Sequence, residues 1–570
     1  MPQIVYYHPG AGTEVFNTAK VLGGMFGVGI PQDIVECYRF ICDNYRPGDE
    51  IVMIGFSRGA FTARSVAGMV CALGFLNRAG IDQLPHIFCD YKNWLTWTSE
   101  SKYNKKVQLL GFTLDNLRRV KKMEEFRAQN GSTEYTEITP KILDTEKEEL
   151  FERMKLIADG VSRAKQMAEE YRKMLVRHEM SLTTRTKDQN GRVEFVAMEG
   201  KVRAIGVWDT VGSLGIPKLP LFHNGELRAE EIRFETLCVH PNVDYAFHAI
   251  ALDEWRTSFS PTMWEKGDNG GTKLRQVWFP GNHGNVGGGW QDQQIATIAL
   301  AWMADQLTSI GVEFSRTEMF RMFYSINPGV EVREWGMGRI CHPTGITTIP
   351  DKFHAWAALP YRKITGADTG VTTRKPGMYR LNKAEELVHP SVRIRYQYYG
   401  RDLDDVKVWD CRALIGNGYE LKKQRLGEDA QLGNVEDAFD TYNSVGGPVT
   451  PFYNVPPEDA KTPLVRVEGP LQKHIWKLTK PGHWWFWEKD GNKLFEERIG
   501  IWERMFIRAN HLLLKKQQKA SISEVRGRDI EKDVQIRRSS DDYERKYGYH
   551  DVMWWQEPFV TDQDINLQPV

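Results

Sequence analysis

Residues 51–70 read IVMIGFSRGAFTARSVAGMV, and this stretch decides the fold class. Its first residues are apolar and mostly β-branched, which is typical of a short buried strand in a parallel sheet. A Gly-x-Ser-x-Gly pattern follows, and we expect it to need Gly55 and Gly59 because a side chain at either would collide with the packed helix or a neighbouring strand. Small residues then recur on one helical face: Ala60, Ala63, Ala67 and Cys71. The stretch therefore predicts a strand, a sharp turn that exposes Ser57, and a helix packed closely on a sheet.

The sequence on either side continues the alternation of helix and strand. Residues 31–45 carry apolar side chains at helical spacing, and two apolar runs at 203–208 and 274–279 end in polar residues. Another helical pattern begins near Asp292, which can cap it. Strands that alternate with helices predict an α/β fold with a mostly parallel sheet and helices on both faces.

The composition excludes several classes of function. Among 570 residues, Lys+Arg and Asp+Glu both number 75, so no global basic field attracts nucleic acid. No apolar run approaches the roughly 18 residues of a membrane span, and the amino terminus has no signal-peptide pattern. The 7 cysteines are scattered and form no C-x-x-C pair, which favours reduced thiols and a cytoplasmic location.

Four ranges of the chain differ in character. Residues 1–95 and 196–420 carry the alternating pattern and are predicted to form the two parts of the core. Residues 96–195 are charge-rich and helical in pattern, so we expect an inserted cap that acts as a lid. Residues 421–570 are less regular and form a C-terminal extension of unknown role. Within it, HWWFWEKDG at 483–491 predicts core or domain packing, with peripheral membrane contact as the alternative.

Ser57 needs partners before it can act as a nucleophile. A histidine must accept its proton, and a carboxylate must hold the imidazole in one tautomer. In α/β-hydrolases the order along the chain is serine, acid, histidine. Asp209 and His283 follow the two later apolar runs in that order, beyond the predicted carboxyl ends of strands, where open α/β sheets bind ligands. We therefore expect an α/β-hydrolase-like fold with Ser57, Asp209 and His283 as catalytic residues.

Residues beside these three are predicted to complete the site. The backbone N–H of Arg58 is the expected oxyanion donor, and Gly59 follows it in the same turn. Asn285 can hydrogen-bond and position the loop that carries the histidine. The glycine run with Gly287 and Gly288 can supply N–H groups or allow a close backbone approach.

Other carboxylates compete for the role of acid. Asp209 can equally cap a helix or a turn. The adjacent pair Asp253 and Glu254 is the alternative, although a salt bridge to Arg256 or Arg64 is the plainer account.

The remaining candidates have structural interpretations beside functional ones. His240 and His248 lie in apolar sequence and are predicted to be core residues or to lie behind the catalytic ones. Arg58 and Arg64 can contact a phosphate or an acidic head group, or brace loops by binding carboxylates. The glycine-rich stretch at 21–30 lacks the strand and the acidic partner of a dinucleotide site, so no cofactor is expected. No cysteine–histidine spacing fits zinc, so no metal is expected either.

Five blocks of sequence occur in order and together resemble one known family. They are GFSRGAFTARSVAG, VWDTVGSLG, HAIALDEWRTSFSPTMW, VWFPGNHGNVGGGW and LVHPSVRIRY. They resemble the hydrolase domain of type VI secretion phospholipase effectors, in the form widespread in fungi, over residues 1–95 and 196–420. The resemblance implies ester hydrolysis with Ser57 as nucleophile, Asp209 as acid and His283 as base. It also implies a phospholipid or an acylglycerol as the leading substrate class.

Two departures from the family's pattern affect the expected site. Family members usually begin with a strand ending in Asp-Gly-Thr, whereas this sequence begins at the later block QIVYYHPGAGT. The first strand and its loop, where we would look for the second oxyanion donor, are therefore expected to be missing. Many bacterial members also carry Asp where this sequence has Asn285, which cannot act as a base.

Two hypotheses follow from the sequence. The first is a cytoplasmic serine hydrolase that cleaves a lipid or phospholipid ester, with neither cofactor nor nucleic-acid partner. The second is a catalytically inactive hydrolase scaffold that binds a protein or lipid partner through residues 96–195 and the C-terminal extension.

Overall fold

The computed structural model describes part of the chain, and every structural statement below refers to that part. The described residues are 3–9, 30–96, 160–187, 191–211, 239–256, 259–266, 271–341, 374–379, 385–402, 405, 407–425, 483–497, 499–500, 502–503, 505–507, 509–510, 513–514 and 517. Most of the predicted insertion, most of the C-terminal extension and the glycine-rich stretch at 21–30, apart from Ile30, lie outside these residues.

The chain divides into two compact units. The first comprises Met1–Ala246 and Thr262–Thr272, and the second comprises Phe247–Pro261 and Lys273–Val570. The described helices of the first unit are α1 Ile30–Asn44, α2 Arg58–Leu73, α3 Arg78–Asp82, α4 Leu84–Thr96 and α5 Gly160–Arg177. Its strands are β1 Val52–Phe56, β2 Thr183–Lys187, β3 Val193–Ala197 and β4 Val202–Trp208. Strand β5, Val243–Ala251, begins in the first unit and ends in the second.

The second unit contains four described α-helices and five further strands. The helices are α6 His283–Gly287, α7 Gln294–Ser309, α8 Arg316–Phe323 and α9 Pro390–Gln397. The strands are β6 Lys273–Phe279, β7 Glu386–Val388, β8 Glu420–Arg425, β9 His483–Lys489 and β10 Asn492–Phe495.

A five-stranded sheet has the strand order β1-β4-β5-β6-β7. Strands β1 and β4 pair in parallel, with Val52 opposite Ala204 and Phe56 opposite Trp208. Strands β6 and β7 also pair in parallel, with Trp278 opposite Val388. This mostly parallel sheet with helices in both units confirms the predicted α/β fold.

The helices before and after β1 form where the apolar spacing predicts them. On α1, Ile34 and Tyr38 are buried, and the Tyr38 hydroxyl donates to the carbonyl oxygen of Gly74 over 2.9 Å. On α2, the four predicted small residues are all buried: Ala60, Ala63, Ala67 and Cys71. Small side chains let this helix approach its neighbours closely, which confirms the close packing predicted for it.

The segment after α5 differs from its helical expectation. Strands β2 and β3 form an antiparallel hairpin in which Arg185 lies opposite Phe195. The strand sequences TTRTK and VEFVA are rich in β-branched residues, which favour an extended backbone over a helix. The charge-rich character of residues 96–195 therefore does not make the whole range helical.

Aromatic residues of β9 pack inside the second unit. Strand β9 lies between β10 and β8 in a three-stranded sheet, with antiparallel pairing on both sides. The side chains of Phe486 and Trp487 are buried, and Trp487 meets Tyr396 edge to face at 5.6 Å between ring centroids. The packing interpretation is therefore confirmed for these two residues.

The chain after β10 supplies buried charges to the second unit. The Arg275 guanidinium donates to both carboxylate oxygens of Glu497, over 2.8 and 2.7 Å. The carboxylate of Asp305 accepts the backbone N–H groups of Trp502 and Glu503 over 2.8 and 3.1 Å. Residues from the predicted C-terminal extension are thus part of the core around β6 and α7.

Candidate active site

Ser57 occupies a sharp turn between β1 and α2. Its φ of 59° and ψ of −119° place a residue with a side chain in a backbone region that favours glycine. The N–H of Ser57 donates to the carbonyl oxygen of Trp208 over 3.0 Å, and the Ser57 carbonyl accepts the N–H of Phe61 over 3.3 Å. Strand pairing on one side and the first helical turn on the other therefore hold the strained conformation in place.

The two glycines of the turn have different roles. A Cβ at Gly55 would lie 2.3 Å from the backbone oxygen of Gly59, so no side chain fits there. A Cβ at Gly59 would meet nothing within 4 Å. The collision predicted for Gly55 is confirmed, and the one predicted for Gly59 is wrong, because its missing side chain would point into open space.

This contrast gives a matched pair of variants. We expect Gly55→Ala to cost about 1–3 kcal/mol or more in the free energy of unfolding, because backbone atoms must move to admit the methyl group. We expect Gly59→Ala to leave that free energy unchanged or to raise it by up to about 1 kcal/mol, because alanine favours a helix over glycine. Chemical denaturation of both variants measures the difference. Equal destabilisation by the two substitutions would contradict the geometry of the turn.

Asp209 follows β4 in the same unit as Ser57. It lies next to Trp208, whose carbonyl bonds the N–H of Ser57, so the two candidate residues follow paired ends of parallel strands. Asp209 is fully buried and has a φ of 38°, which is a second strained position at this edge. The geometry brings Ser57 and Asp209 to the same edge of the β1–β4 pair.

Arg64 braces the loop beside Asp209. Its guanidinium donates to the Thr262 carbonyl over 2.6 Å and lies 4.3 Å above the ring of Trp264. The N–H of Thr262 in turn donates to the Thr210 carbonyl over 2.9 Å. Through Thr262, Arg64 is linked to the loop after β4, and the acceptor of this bond is a carbonyl and not the carboxylate that the sequence suggested.

Arg58 presents an unusual guanidinium. Its Nη1 atom is buried and has no hydrogen-bond partner among the described residues. Burial lowers the pKa of the Arg58 guanidinium, and the carboxylate of Asp33 opposes that effect. A buried guanidinium nitrogen without an acceptor is costly in free energy.

His283 begins helix α6, just after β6 in the second unit. Asn282 and Asn285 cap the helix reciprocally, each side-chain oxygen accepting the other residue's backbone N–H over 3.2 Å. The Asn285 amide also donates to the Arg339 carbonyl over 2.9 Å, and the Asn282 amide donates to the Cys341 carbonyl over 2.6 Å. The side chain of Asn285 thus links the first turn of α6 to the segment that contains Arg339.

Glycines around α6 allow the tight loop. A Cβ at Gly281, which has a φ of 94°, would lie 2.6 Å from the Asn285 Cβ. Gly287 is the last residue of α6, and Gly288 follows it with a φ of 91°. The glycine run therefore terminates α6 by a backbone conformation that side chains disfavour.

Asp253 and Glu254 also hold the histidine loop. The Asp253 carboxylate accepts the Gly281 N–H over 2.6 Å and the indole N–H of Trp409 over 2.9 Å. Burial raises the pKa of Asp253 to about 6, against the effect of these two donors. Glu254 forms a buried salt bridge with Arg256, and its Oε2 accepts the backbone N–H of His283 over 3.2 Å.

The other two candidate histidines do not follow the carboxyl end of a strand, where open α/β sheets place their sites. His248 is fully buried within β5, with its Nδ1 3.4 Å from the side-chain oxygen of Gln276. His240 precedes the amino end of β5, and burial lowers its pKa to about 4.

Sequence reasoning missed a buried serine–histidine–glutamate chain in the second unit. His389 Nε2 lies 2.6 Å from Glu503 Oε1, and His389 Nδ1 accepts the Ser391 backbone N–H and lies 2.7 Å from its hydroxyl. Because Nδ1 accepts that backbone N–H, the ring proton lies on Nε2 and is donated to Glu503, while burial lowers the pKa of His389. All three residues are buried.

Two kinds of feature are absent from the residues that the structure describes. Among them, no group of three or more His, Cys, Asp or Glu side chains has the arrangement of a metal site. No described helix combines the length and apolar character that crossing a membrane requires.

Comparisons with known proteins identify relatives of the chain. The model of one family, described as T6SS, phospholipase effector Tle1-like, catalytic domain, matches residues 1–306. An uncharacterised protein of Saccharomyces cerevisiae, YEL023C, is 22% identical over 369 residues, which are 55% of this chain and 52% of the yeast protein. The chain therefore spans about half the length of the curated relative it matches. No solved structure matches the chain significantly.

Proposed function

Because the chain belongs to the T6SS phospholipase effector Tle1-like family, as the five sequence blocks predicted, we propose that it is a serine hydrolase that cleaves a lipid ester. The yeast relative fits the predicted fungal form of the family. The observation that carries the serine mechanism is the strained turn at Ser57. Strain of about 1–3 kcal/mol at a residue with a side chain persists where the surrounding structure enforces it, and such positions cluster at active sites.

In the proposed reaction, Ser57 Oγ attacks the ester carbonyl carbon while His283 accepts the hydroxyl proton. Asp209 orients the imidazole and stabilises its protonated form. The N–H of Arg58, which opens helix α2 and has no intrahelical acceptor, stabilises the oxyanion. The carbon–oxygen bond to the alcohol then breaks, and the imidazolium returns its proton to the leaving oxygen. Water, activated by the same histidine, hydrolyses the acyl-enzyme and releases the carboxylic acid.

The assignment of acid and base is supported by the local structure around each residue. Asp209 follows the strand that pairs with the strand of Ser57, and it is fully buried, so its carboxylate is sheltered from water. His283 follows strand β6 after Pro280, Gly281 and Asn282, and reacting groups of open α/β sheets lie just beyond the carboxyl ends of strands.

The substrate class proposed here is a phospholipid. The family supports a phospholipase activity, and the buried Nη1 of Arg58 next to Ser57 supplies a partner for a phosphate group. A cytoplasmic location belongs to the same proposal, supported by six free cysteines among the described residues.

We expect Arg58→Ala to separate phospholipid from neutral ester. Loss of a hydrogen bond to a charged group costs about 1.5–3 kcal/mol, so kcat/KM for phosphatidylglycerol vesicles is expected to fall roughly 10- to 100-fold. For a neutral triacylglycerol the expected fall is below about threefold, because the backbone N–H stays in place. Arg46→Ala, which removes an exposed arginine, is the matched control. An equal fall for both substrates would remove the phosphate-binding role from Arg58.

The proposal as a whole is tested by assaying the purified chain on phospholipid vesicles, diacylglycerol and short p-nitrophenyl esters. Release of free fatty acid from phospholipid is the expected result. If folded protein releases no acid from any ester, the inactive-scaffold hypothesis replaces the hydrolase.

A further inference from the structure

A compact group of side chains surrounds His283 within the second unit. We call Glu254, Arg256 and Phe259 the His283 clamp. All three follow strand β5 within six residues of one another, in the segment DEWRTSF at 253–259. Glu254 is fully buried and Arg256 is 5% exposed, so their pairing is shielded from water.

Each clamp residue contacts the next, and both Phe259 and Glu254 contact His283. Arg256 and Glu254 form a bidentate salt bridge. Nε of Arg256 donates to Oε1 over 2.8 Å, and Nη2 donates to Oε2 over 2.9 Å. The Arg256 guanidinium lies 3.6 Å above the ring of Phe259. The rings of Phe259 and His283 lie edge to face, with 4.8 Å between their centroids. The backbone N–H of His283 donates to Glu254 Oε2 over 3.2 Å.

Glu254 is placed to hold the backbone of His283. Its Oε1 accepts from Arg256 Nε and from the Arg256 N–H at 2.9 Å, and its Oε2 accepts from Arg256 Nη2 and the His283 N–H. These four N–H groups match the roughly four acceptor sites of a carboxylate. Burial alone raises the pKa of Glu254, but the hydrogen bonds and charge of Arg256 outweigh it and lower that pKa.

Phe259 has its own support. The buried guanidinium of Arg374 donates through Nη2 to the Phe259 carbonyl over 2.8 Å. The Arg256 guanidinium packs on one face of the Phe259 ring. The same ring contacts the imidazole of His283 edge to face. The ring thus limits how the imidazole can rotate, while Glu254 limits how its backbone can move.

We infer that Glu254, Arg256 and Phe259 position His283 for proton transfer, and that Glu254 is a positioning residue and not the acid of the triad. This inference rests on the proposed function, because it assigns His283 as the base. A general base must be held close to its productive geometry, and a displacement of about 1 Å costs roughly 100-fold in rate. The clamp restrains both the backbone and the ring of that base.

The test is a double-mutant cycle that combines Phe259→Leu or Glu254→Gln with His283→Ala. The rate measured is the labelling of the purified chain by a fluorophosphonate, together with kcat and KM on a p-nitrophenyl ester. Phe259→Leu keeps both buried charges and is the main variant, since Glu254→Gln leaves the buried Arg256 without its carboxylate. Phe259→Tyr, which keeps the aromatic ring, is the conservative control.

With His283 present, Phe259→Leu and Glu254→Gln are expected to lower the labelling rate and kcat about 10- to 100-fold, with KM within about twofold. Phe259→Tyr is expected to keep the rate within about threefold. In the His283→Ala background, neither clamp substitution is expected to lower the residual rate further, because the residue they act through is gone.

A different pattern overturns the inference. If Phe259→Leu has no effect beside His283, or lowers the rate equally with and without His283, the clamp does not act through the histidine. If His283→Ala itself leaves the labelling rate unchanged, the inference falls together with the proposed function. If His283→Ala lowers the labelling rate but the clamp variants do not, the inference is overturned and the proposed function stands.

Discussion

Ser57→Ala is expected to lower ester hydrolysis by roughly 10,000-fold or more, while the protein keeps its fold. Removal of the nucleophile of a serine hydrolase leaves only the contributions of binding and oxyanion stabilisation. Alanine adds no atoms to the turn, and the Ser57 backbone bonds to Trp208 and Phe61 do not involve its hydroxyl. The measurement is kcat/KM on a short ester and on phospholipid vesicles, with circular dichroism to verify folding.

Ser325→Ala is the matched control for this substitution. Ser325 is exposed and follows helix α8, so its hydroxyl has no place in the proposed reaction. We expect its kcat/KM to equal that of the unmodified chain. Hydrolysis by Ser57→Ala at the unmodified rate would show that another group attacks the ester.

Glu497→Ala is expected to cost about 3–5 kcal/mol in the free energy of unfolding, because it removes the carboxylate that binds the buried guanidinium of Arg275. The Arg275 side chain is only 4% exposed, and its Nη1 donates to both Glu497 oxygens. The indole N–H of Trp302 also lies 3.4 Å from Glu497 Oε2 and loses that acceptor. Denaturant unfolding followed by tryptophan fluorescence measures the loss.

Two comparisons separate a buried charge from general damage. Glu318→Ala removes the partner of Arg321 in an exposed pair, and we expect it to cost at most about 1 kcal/mol. Arg275→Met combined with Glu497→Leu removes both charges, and we expect most of the lost stability to return. If the double substitution unfolds as readily as Glu497→Ala, the penalty does not arise from an unpaired charge.

Local patterns predicted the part of the fold that depends on neighbouring residues. The turn at Ser57 follows from an apolar run, two glycines and a row of small residues, all within 20 positions. Asp209 was predicted because it directly follows an apolar strand, and His283 because it lies shortly after another. Such features are visible in sequence because a strand, a turn and a helix each have a characteristic spacing of apolar, glycine and small residues.

Contacts between distant segments could not be predicted in this way. Arg275 and Glu497 are 222 positions apart, and the sequence around either residue does not indicate that the two form a pair. Strand β5, VDYAFHAIA, was not predicted as a strand, because its polar and aromatic residues hide the alternation that is typical of one. Gly59 was predicted to be crowded since the pattern shows two glycines but not which way a missing side chain would point.

The roles of the carboxylates near His283 also depend on tertiary structure. Sequence placed Asp253 and Glu254 together as alternative acids. The geometry distinguishes them, since Asp253 binds the Gly281 N–H and Trp409, whereas Glu254 binds Arg256 and the His283 N–H. Two adjacent residues thus fasten two points of one loop, which no motif spacing reveals.

The central claim is that Ser57 is the nucleophile, and covalent labelling tests it most directly. The purified chain is treated with a fluorophosphonate, digested, and the modified peptide is located by mass spectrometry. The account predicts one stoichiometric adduct on Ser57, in the peptide that spans GFSR at 55–58, and no adduct in Ser57→Ala. A folded chain that takes up no label, or takes it up on a residue other than Ser57, would contradict the account.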